Sequence, residues 1–234
     1  MNGSRILAII PARGGSKGVP GKNLKELAGI PLVDHSILFA RDSGVFDHIM
    51  VTSDDEAICD RARIHRVTPV RRPAHLAGDN SLVVDAMIHC LDTLKQEHDM
   101  PDSLFLLEPT APLRDRRDLI KAVEALESGY DSVASFCETE PPAGRIWLIS
   151  DHKVRPLMEG ADPFLPRQQQ VPGYRLTGQY YGFQYHLFAD PPATLPLEGR
   201  IFPLITDSER AIDIDREIDF QMAEYLIISK EKTP

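Results

Sequence analysis

Cysteine is scarce in this chain, and so are tryptophan and long apolar runs. The three cysteines, Cys59, Cys90 and Cys137, stand far apart and are odd in number. That spacing excludes a disulfide framework and a CxxC metal or redox pair, and it predicts buried or free thiols in a reducing cytoplasm. The eight histidines fall at no zinc-ligand spacing. No run approaches the ~18 apolar residues that a membrane span needs. The first apolar run, 6–10, stops at Pro11 and is too short for the core of a secretory leader. Basic charge is in deficit as well: 26 Lys and Arg against 35 Asp and Glu leave a net charge of -9. Such a field excludes general nucleic-acid binding but permits a local basic pocket for a phosphorylated small molecule. What remains is ordinary globular material, 234 residues of which 42% are hydrophobic. It suffices for one domain, 1–234, with a core that needs no covalent staples.

Short apolar runs alternate with stretches of helical period. Residues 5–10 (RILAII), 48–52, 67–70, 103–107 and 132–136 have the length of buried strands. Between them, 32–43, 56–65, 82–95 and 118–128 carry apolar residues at helical spacing. Gly44 is expected to stop the first helix, and Ser53 or Asp54 to cap the second. The βαβα order predicts a three-layer α/β/α sandwich around a mostly parallel, Rossmann-like sheet. Ligands of such sheets lie at the carboxyl ends of the strands. From 138 to 172, six prolines interrupt the pattern, and this stretch is expected to be a small inserted arm. Strand pattern resumes at 178–185 and 201–205, and a last helix is expected from about Asp215 to Ser229.

The loop after the first strand, 11–23 (PARGGSKGVPGKN), inverts the charge of the protein. Arg13, Lys17, Lys22 and Lys25 precede the next acid, Glu26, and Gly14, Gly15, Gly18 and Gly21 lie among them. Exposed backbone N–H groups beside fixed cations are what a triphosphate requires. A Walker A loop is excluded, because Gly21-Lys22 is followed by Asn23 and the spacing to an earlier glycine fails. Gly14-Gly15-Ser16-Lys17-Gly18 formally matches the nucleophile elbow of hydrolases. An elbow must turn straight into a helix, however, and Val19-Pro20-Gly21 opposes that.

Five segments in register carry a resemblance. They are IIPARGGSKGVPGKNL (9–24); Arg71-Arg72-Pro73 with Leu76-Ala77-Gly78-Asp79; LLEPTAPLR (106–114); Arg167-Gln168-Gln169 with Tyr174-Arg175-Leu176-Thr177-Gly178; and Ile212-Asp213-Ile214-Asp215. Together they resemble the cytidylyltransferases that make CMP-nonulosonic acids, of the CMP-N-acetylneuraminate synthetase type. The resemblance implies transfer of CMP from CTP to the anomeric hydroxyl of a sialic-acid-like sugar, with release of pyrophosphate and with Mg2+ as cofactor. It implies a homodimer formed through the arm, and no nucleic-acid or membrane partner. The alternatives are a cytidylyltransferase for another 2-keto acid sugar such as Kdo, and a non-catalytic nucleotide-binding relative.

By the same resemblance, Arg13, Lys22, Arg167 and Asp215 are the catalytic candidates. Ala12, Arg13, Lys17, Lys22, Asn23, Arg72 and Ser81 are expected to bind nucleotide. Glu108, Arg145, Arg167, Gln168, Thr177 and Tyr181 are expected to bind the sugar, and Asp213 and Asp215 the metal. Plain alternatives stand beside several of these. Asn23 also suits a turn, Arg72 a solvated surface, and Ser81 and Asp215 helix N-caps. Two residues depart from the family pattern: Glu108 stands where glutamine is usual, and Thr177 where asparagine is usual. A carboxylate in place of an amide loses a donor and adds an acceptor, which predicts a related nonulosonate as acceptor or a pairing of Glu108 with Arg114.

Overall fold

The computed structural model describes residues 4–16, 18–78, 80–97, 100–190, 192 and 194–231. Strand β1, Ile6–Pro11, is apolar on both sides. Ile6, Ala8 and Ile10 join one core cluster, and Leu7 and Ile9 the other. Because successive side chains of a strand point to opposite faces, an unbroken apolar run marks a central strand covered on both sides. β1 pairs in parallel with β4 (His48–Ser53) and with β6 (Ser103–Leu106), and β4 pairs in parallel with β5 (Thr68–Arg71). On the far side, β7 (Ser132–Glu138) and β11 (Ile201–Ile205) are parallel to each other. The one reversed strand is β10, Tyr174–Gln184, antiparallel to both β6 and β7. The seven-stranded order is β11-β7-β10-β6-β1-β4-β5. A hairpin of β2 (Glu26–Leu27) and β3 (Ile30–Pro31) stands apart from this sheet.

Helices α1 (Leu32–Ser43), α2 (Glu56–Ile64) and α4 (Arg116–Glu127) cover one face through Val33, Ile37, Ile58, Leu119 and Ala122. Helix α3 (Val83–Glu97) covers the other through Val84, Met87, Leu91 and Leu94. Gly44 ends α1 in the left-handed region, where a Cβ would be strained. The cap of α2 differs from expectation. Asp55 is the N-cap and accepts from the Ala57 N–H. Ser53 Oγ instead accepts from the Asp55 N–H, and the Asp54 carboxylate accepts from the Gly14 N–H. α4 begins two residues early because Asp115 caps it.

The inserted stretch leaves from β7 and returns into β10. These strands pair from Tyr174 and Glu138 inward, and the Thr139 N–H donates to the Gly173 carbonyl. The arm is therefore an extension of an antiparallel strand pair, and this explains why β10 runs against its neighbours. It carries a small hairpin of its own, β8 (Trp147–Ser150) against β9 (Lys153–Pro156). The last helix, α5 (Glu217–Glu231), packs Phe220 and Ala223 on Leu27, Leu32 and Ile214. Among the described residues no helix is long and apolar enough to cross a membrane.

Candidate active site

A cavity of about 300 Å³ opens at the carboxyl end of β1, the expected place in a sheet of this kind. Its walls include Arg13, Lys22, Asn23, Arg72, Ser81 and Glu108. These residues come from three connections, those after β1, β5 and β6, and the sheet brings them together. Lys17 and Asp79 lie outside the described residues.

The first loop is fixed by backbone contacts. The Ala12 N–H donates to the Thr52 carbonyl, and Ala12 itself is fully buried beneath the cavity. Asn23 donates its amide to the Arg13 carbonyl at 2.9 Å, so it shapes the loop as well as lining the cavity. Gly21 takes φ +62 and starts a short turn, Lys22–Leu24. No helix follows until Leu32, so the strand-to-helix geometry of a nucleophile elbow is not formed around Ser16. At Gly18 a Cβ would fall 1.9 Å from the Asp215 carbonyl oxygen. Only glycine lets the loop close on the segment before α5.

Lys22 joins those two segments. It is 9% exposed, and its ammonium donates to the Ile214 carbonyl at 2.5 Å and to Asp215 Oδ1 at 3.3 Å. Asp215 does not cap α5, which begins at Glu217; the N–H groups of Asp215 and Arg216 are taken by the Asp219 carboxylate. The Ile214 N–H donates to the Thr110 carbonyl. Burial raises Asp213 above the ordinary aspartate range and the charge of Asp215 adds to this, while a Thr110 side-chain hydrogen bond opposes it. Thr110 was not singled out from the sequence. Its signal was its place in LLEPTAPLR, next to Glu108.

Arg72 is no surface arginine. It is 8% exposed, donating from Nη2 to the Thr52 carbonyl at 2.8 Å and from Nε toward the Thr52 hydroxyl at 3.3 Å. Burial lowers its pKa. Ser81 lines the cavity near it, its hydroxyl donating to the His75 carbonyl.

Glu108 lines the cavity beyond β6. Burial first, then the charge of Asp213, pushes its carboxyl up to about 7. The expected pairing of its carboxylate with Arg114 is not made. Arg114 is fully engaged elsewhere: Nε donates to the Gln179 carbonyl, Nη1 to Ser36 Oγ, and Nη2 to the backbone carbonyl of Glu108. Tyr181 stands next to this carboxyl, and its phenol is pushed up chiefly by burial and then by the Glu108 charge.

The other sugar candidates are not drawn to the cavity. Thr177 is 1% exposed, with its hydroxyl turned to Ser135 Oγ at 2.7 Å. Arg145 donates to the carbonyls of Pro163 and Leu165, folding the arm on itself. Arg167 pairs with Glu140 at 2.8 Å in solvent, and Gln168 is exposed beside it. Arg175, by contrast, shares a second opening with Asp213 and Asp215 and donates to the Ala211 carbonyl.

Two hard carboxylates beside a phosphate-type loop suit magnesium, which takes one or two carboxylates and completes its shell with phosphate oxygens and water. Asp213 and Asp215 fit that description. Among the described residues no cluster of three or more histidine, cysteine or acidic side chains forms a closed metal cage.

A family model described as cytidylyltransferase matches residues 7–139. The chain belongs to the cytidylyltransferase family. It is 33% identical to the CMP-N,N'-diacetyllegionaminic acid synthase of Legionella pneumophila, over 95% of this chain and 96% of that one. It is 30% identical to the post-translational flagellin modification protein B of Campylobacter coli, over 98% and 97%. A solved structure of a CMP:2-keto-3-deoxy-manno-octonic acid synthetase complexed with CTP superimposes with a TM-score of 0.70, covering 97% of this chain and 100% of that one. At 15% identity that likeness shows the fold alone.

Proposed function

We propose that this cytidylyltransferase transfers CMP from CTP to the anomeric hydroxyl of a nonulosonic, sialic-acid-like sugar and releases pyrophosphate. The observation that carries the reading is the junction of Lys22 with Asp215 across 193 positions of sequence, in a site whose cavity is walled by Arg13 and Arg72. A cationic loop and an acidic segment have no structural need to meet there. A phosphoryl transfer needs both, because it is carried mainly by positioning and by neutralising charge as the leaving group departs.

Arg13 and Lys22, with the glycine N–H groups, hold the triphosphate and receive the charge of the leaving pyrophosphate. Arg72 and the 76–78 backbone, with Ser81, form the end for the nucleoside. Asp213 and Asp215 would hold Mg2+, which would supply positive charge to offset that of the phosphates. The sugar hydroxyl attacks the α-phosphorus opposite the departing oxygen. Arg175 shares the second opening with Asp213 and Asp215, and it is assigned to the acceptor's carboxylate. Glu108 and Tyr181 line the acceptor's place, and Arg167 with Gln168 is kept as an acceptor contact supplied by the arm. The names of the curated relatives support an acceptor of the nonulosonate class.

The arm supports a homodimer. Ile149 is 74% exposed and Phe164 91%, with Trp147, Val154, Leu157 and Val171 also open to water. Apolar side chains concentrated on one excursion mark a surface that another molecule covers. The test of the reaction is pyrophosphate release with CTP, Mg2+ and a panel of acid sugars, with ATP, GTP and UTP as controls. Release with CTP and a nonulosonate is expected. Release with Kdo alone would replace the acceptor, and silence with every sugar while CTP still binds would overturn the transfer itself.

A further inference from the structure

The peptide unit between Arg13 and Gly14 is held from both sides by side chains. Its carbonyl oxygen accepts from the Asn23 amide at 2.9 Å, and its N–H donates to the Asp54 carboxylate at 2.9 Å. These two partners stand 10 and 40 positions away in sequence. Asn23 comes from the short turn that closes the loop, and Asp54 from the junction of β4 with α2. One residue earlier, the Ala12 N–H donates to the Thr52 carbonyl at 3.0 Å. The backbone is thus fixed on both sides of Arg13. Gly14 is also where the loop presses on the β4–α2 junction. A Cβ there would fall 2.7 Å from Asp55 Oδ2 and 2.8 Å from Asp55 Cβ, so glycine is required for the space.

Asp54 has no other structural task that explains it. Helix α2 is capped by Asp55, and Asp54 joins no core cluster. A carboxylate beside a loop built for anions repels the ligand, so its presence there calls for a compensating use. The bond to Gly14 is that use, since a charged acceptor holds an N–H more firmly than a neutral one. The junction also serves the other arginine of the cavity. Thr52 accepts from the Arg72 side chain, and the Ser53 carbonyl accepts from the Arg72 N–H at 2.7 Å. Three consecutive residues, Thr52, Ser53 and Asp54, therefore set the backbone around Arg13 and the seat of Arg72. Toward the first loop, Thr52 acts through its carbonyl, which any residue would supply. Asp54 acts through its side chain, so this part of the device depends on which residue stands there.

We propose that Asp54 is a positioning residue of the transfer reaction: it holds the Gly14 N–H, with Asn23 on the other side of the same peptide, and so aims Arg13 at the triphosphate. This rests on the reading of the loop as the CTP site given above. Asp54 touches no part of the nucleotide and acts through Arg13. Misplacing a charged group by a fraction of its length is costly where catalysis depends on position, and a peptide locked at both ends prevents it.

The test is equilibrium binding of CTP and of CMP, with Mg2+ and without sugar, to wild type, Asp54→Ala, Asp54→Asn, Arg13→Met and the Arg13→Met/Asp54→Ala pair. Asp54→Ala lowers CTP affinity by about tenfold and CMP affinity by less than about twofold, because CMP lacks the outer phosphates that Arg13 holds. Asp54→Asn keeps an acceptor oxygen and recovers most of the loss. In the Arg13→Met background, Asp54→Ala costs less than about twofold, since its effect passes through the group already removed. Equal losses of CTP and CMP would overturn the proposal, because Asp54 would then only support the fold. Additive losses in the paired variant would overturn it too, and so would Asp54→Asn behaving as Asp54→Ala. A changed preference for CTP over UTP would place Asp54 against the base and overturn it as well. Where Asp54→Ala does not fold, Asp54→Ser takes its place in the cycle. A wild type that binds no CTP would defeat the proposal together with the reading beneath it. Failure of transfer with every sugar while CTP binds defeats the transfer alone and leaves the binding cycle to decide Asp54.

Discussion

Two arginines separate the cavity from the arm. Arg72 is almost wholly enclosed, and both its bonds go to one strand residue, Thr52. Arg167 stands in solvent and pairs with another exposed side chain, Glu140. The first is fixed before any ligand arrives, because the rigid sheet holds the atoms that hold it. The second gains little from its ion pair, since exposed pairs contribute ~1 kcal/mol or less. The same contrast extends to apolar residues. Phe105 and Tyr180 are wholly buried behind the cavity, whereas Ile149 and Phe164 on the arm face water. One region encloses its side chains within the chain, and the other leaves large apolar side chains in water.

The largest effect expected is at the junction of the two charged segments. On the proposed reading Asp215→Ala should lower turnover by about 10³-fold or more, since it removes the partner of Lys22 and an oxygen proposed for the metal. Thermal unfolding should move little, because Asp215 is exposed and caps no helix. Pyrophosphate release beside a melting curve checks both. Arg72→Met comes next. Its bonds to Thr52 vanish and a buried acceptor is left open, so CTP affinity should fall by about 10²-fold. Arg167→Met should leave CTP affinity within about twofold. Equal losses in both variants, read by equilibrium binding of CTP, would break the comparison between the two regions.

Much of this was legible in the sequence wherever local rules decide. The 32–43 helix, its Gly44 stop and the 201–205 strand needed only period and turn chemistry. The charged loop could be assigned to phosphate because composition alone singled it out. What was not legible depends on who else competes for a side chain. Ser53 and Asp54 looked like caps for α2, but one turns to Asp55 and the other to Gly14, across 40 positions. Glu108 and Arg114 looked like a pair, yet Gln179 and Ser36 claim the guanidinium. The contact of the Thr177 hydroxyl with Ser135, made by the irregular stretch of β10 around Gly178, also had no signal in the sequence. The reversal of β10 is likewise invisible to periodicity, which reports burial and not direction.

The arm offers a smaller and different effect. Replacing Ile149 and Phe164 together by aspartate should leave the fold intact, because neither side chain packs in the core clusters. Sedimentation should show wild type as a dimer at micromolar concentration and the double variant as a monomer, with unfolding temperatures within a few degrees. A monomeric wild type would remove the reason for the exposed apolar arm.

The finest distinction is between two acids near the same end of the sheet. Glu108 is pushed up to about 7, chiefly by burial, from an ordinary 4.5. Between those values the folded state holds a proton that the unfolded state has released. Stability contributed there is present below about 4.5 and lost as pH rises through 7, by ~3 kcal/mol at most. The difference in unfolding free energy between wild type and Glu108→Gln should therefore fall from pH 5 to pH 8. Asp115, the cap of α4, moves the other way. The Arg117 side-chain hydrogen bond, opposed by partial burial and aided by the Arg117 backbone, holds it down to about 2. Its contribution is present above about 4 and is lost as pH falls toward 2. Arg117 is 83% exposed, so solvent screens the pair, and less than ~1 kcal/mol is at stake. Urea titrations of wild type, Glu108→Gln and Asp115→Asn across pH 2 to 8 would show slopes of opposite sign in separate windows. A single shared window would mean that the cavity wall and the helix cap titrate as one unit, and that the enclosed acid at the cavity is not isolated from its surroundings.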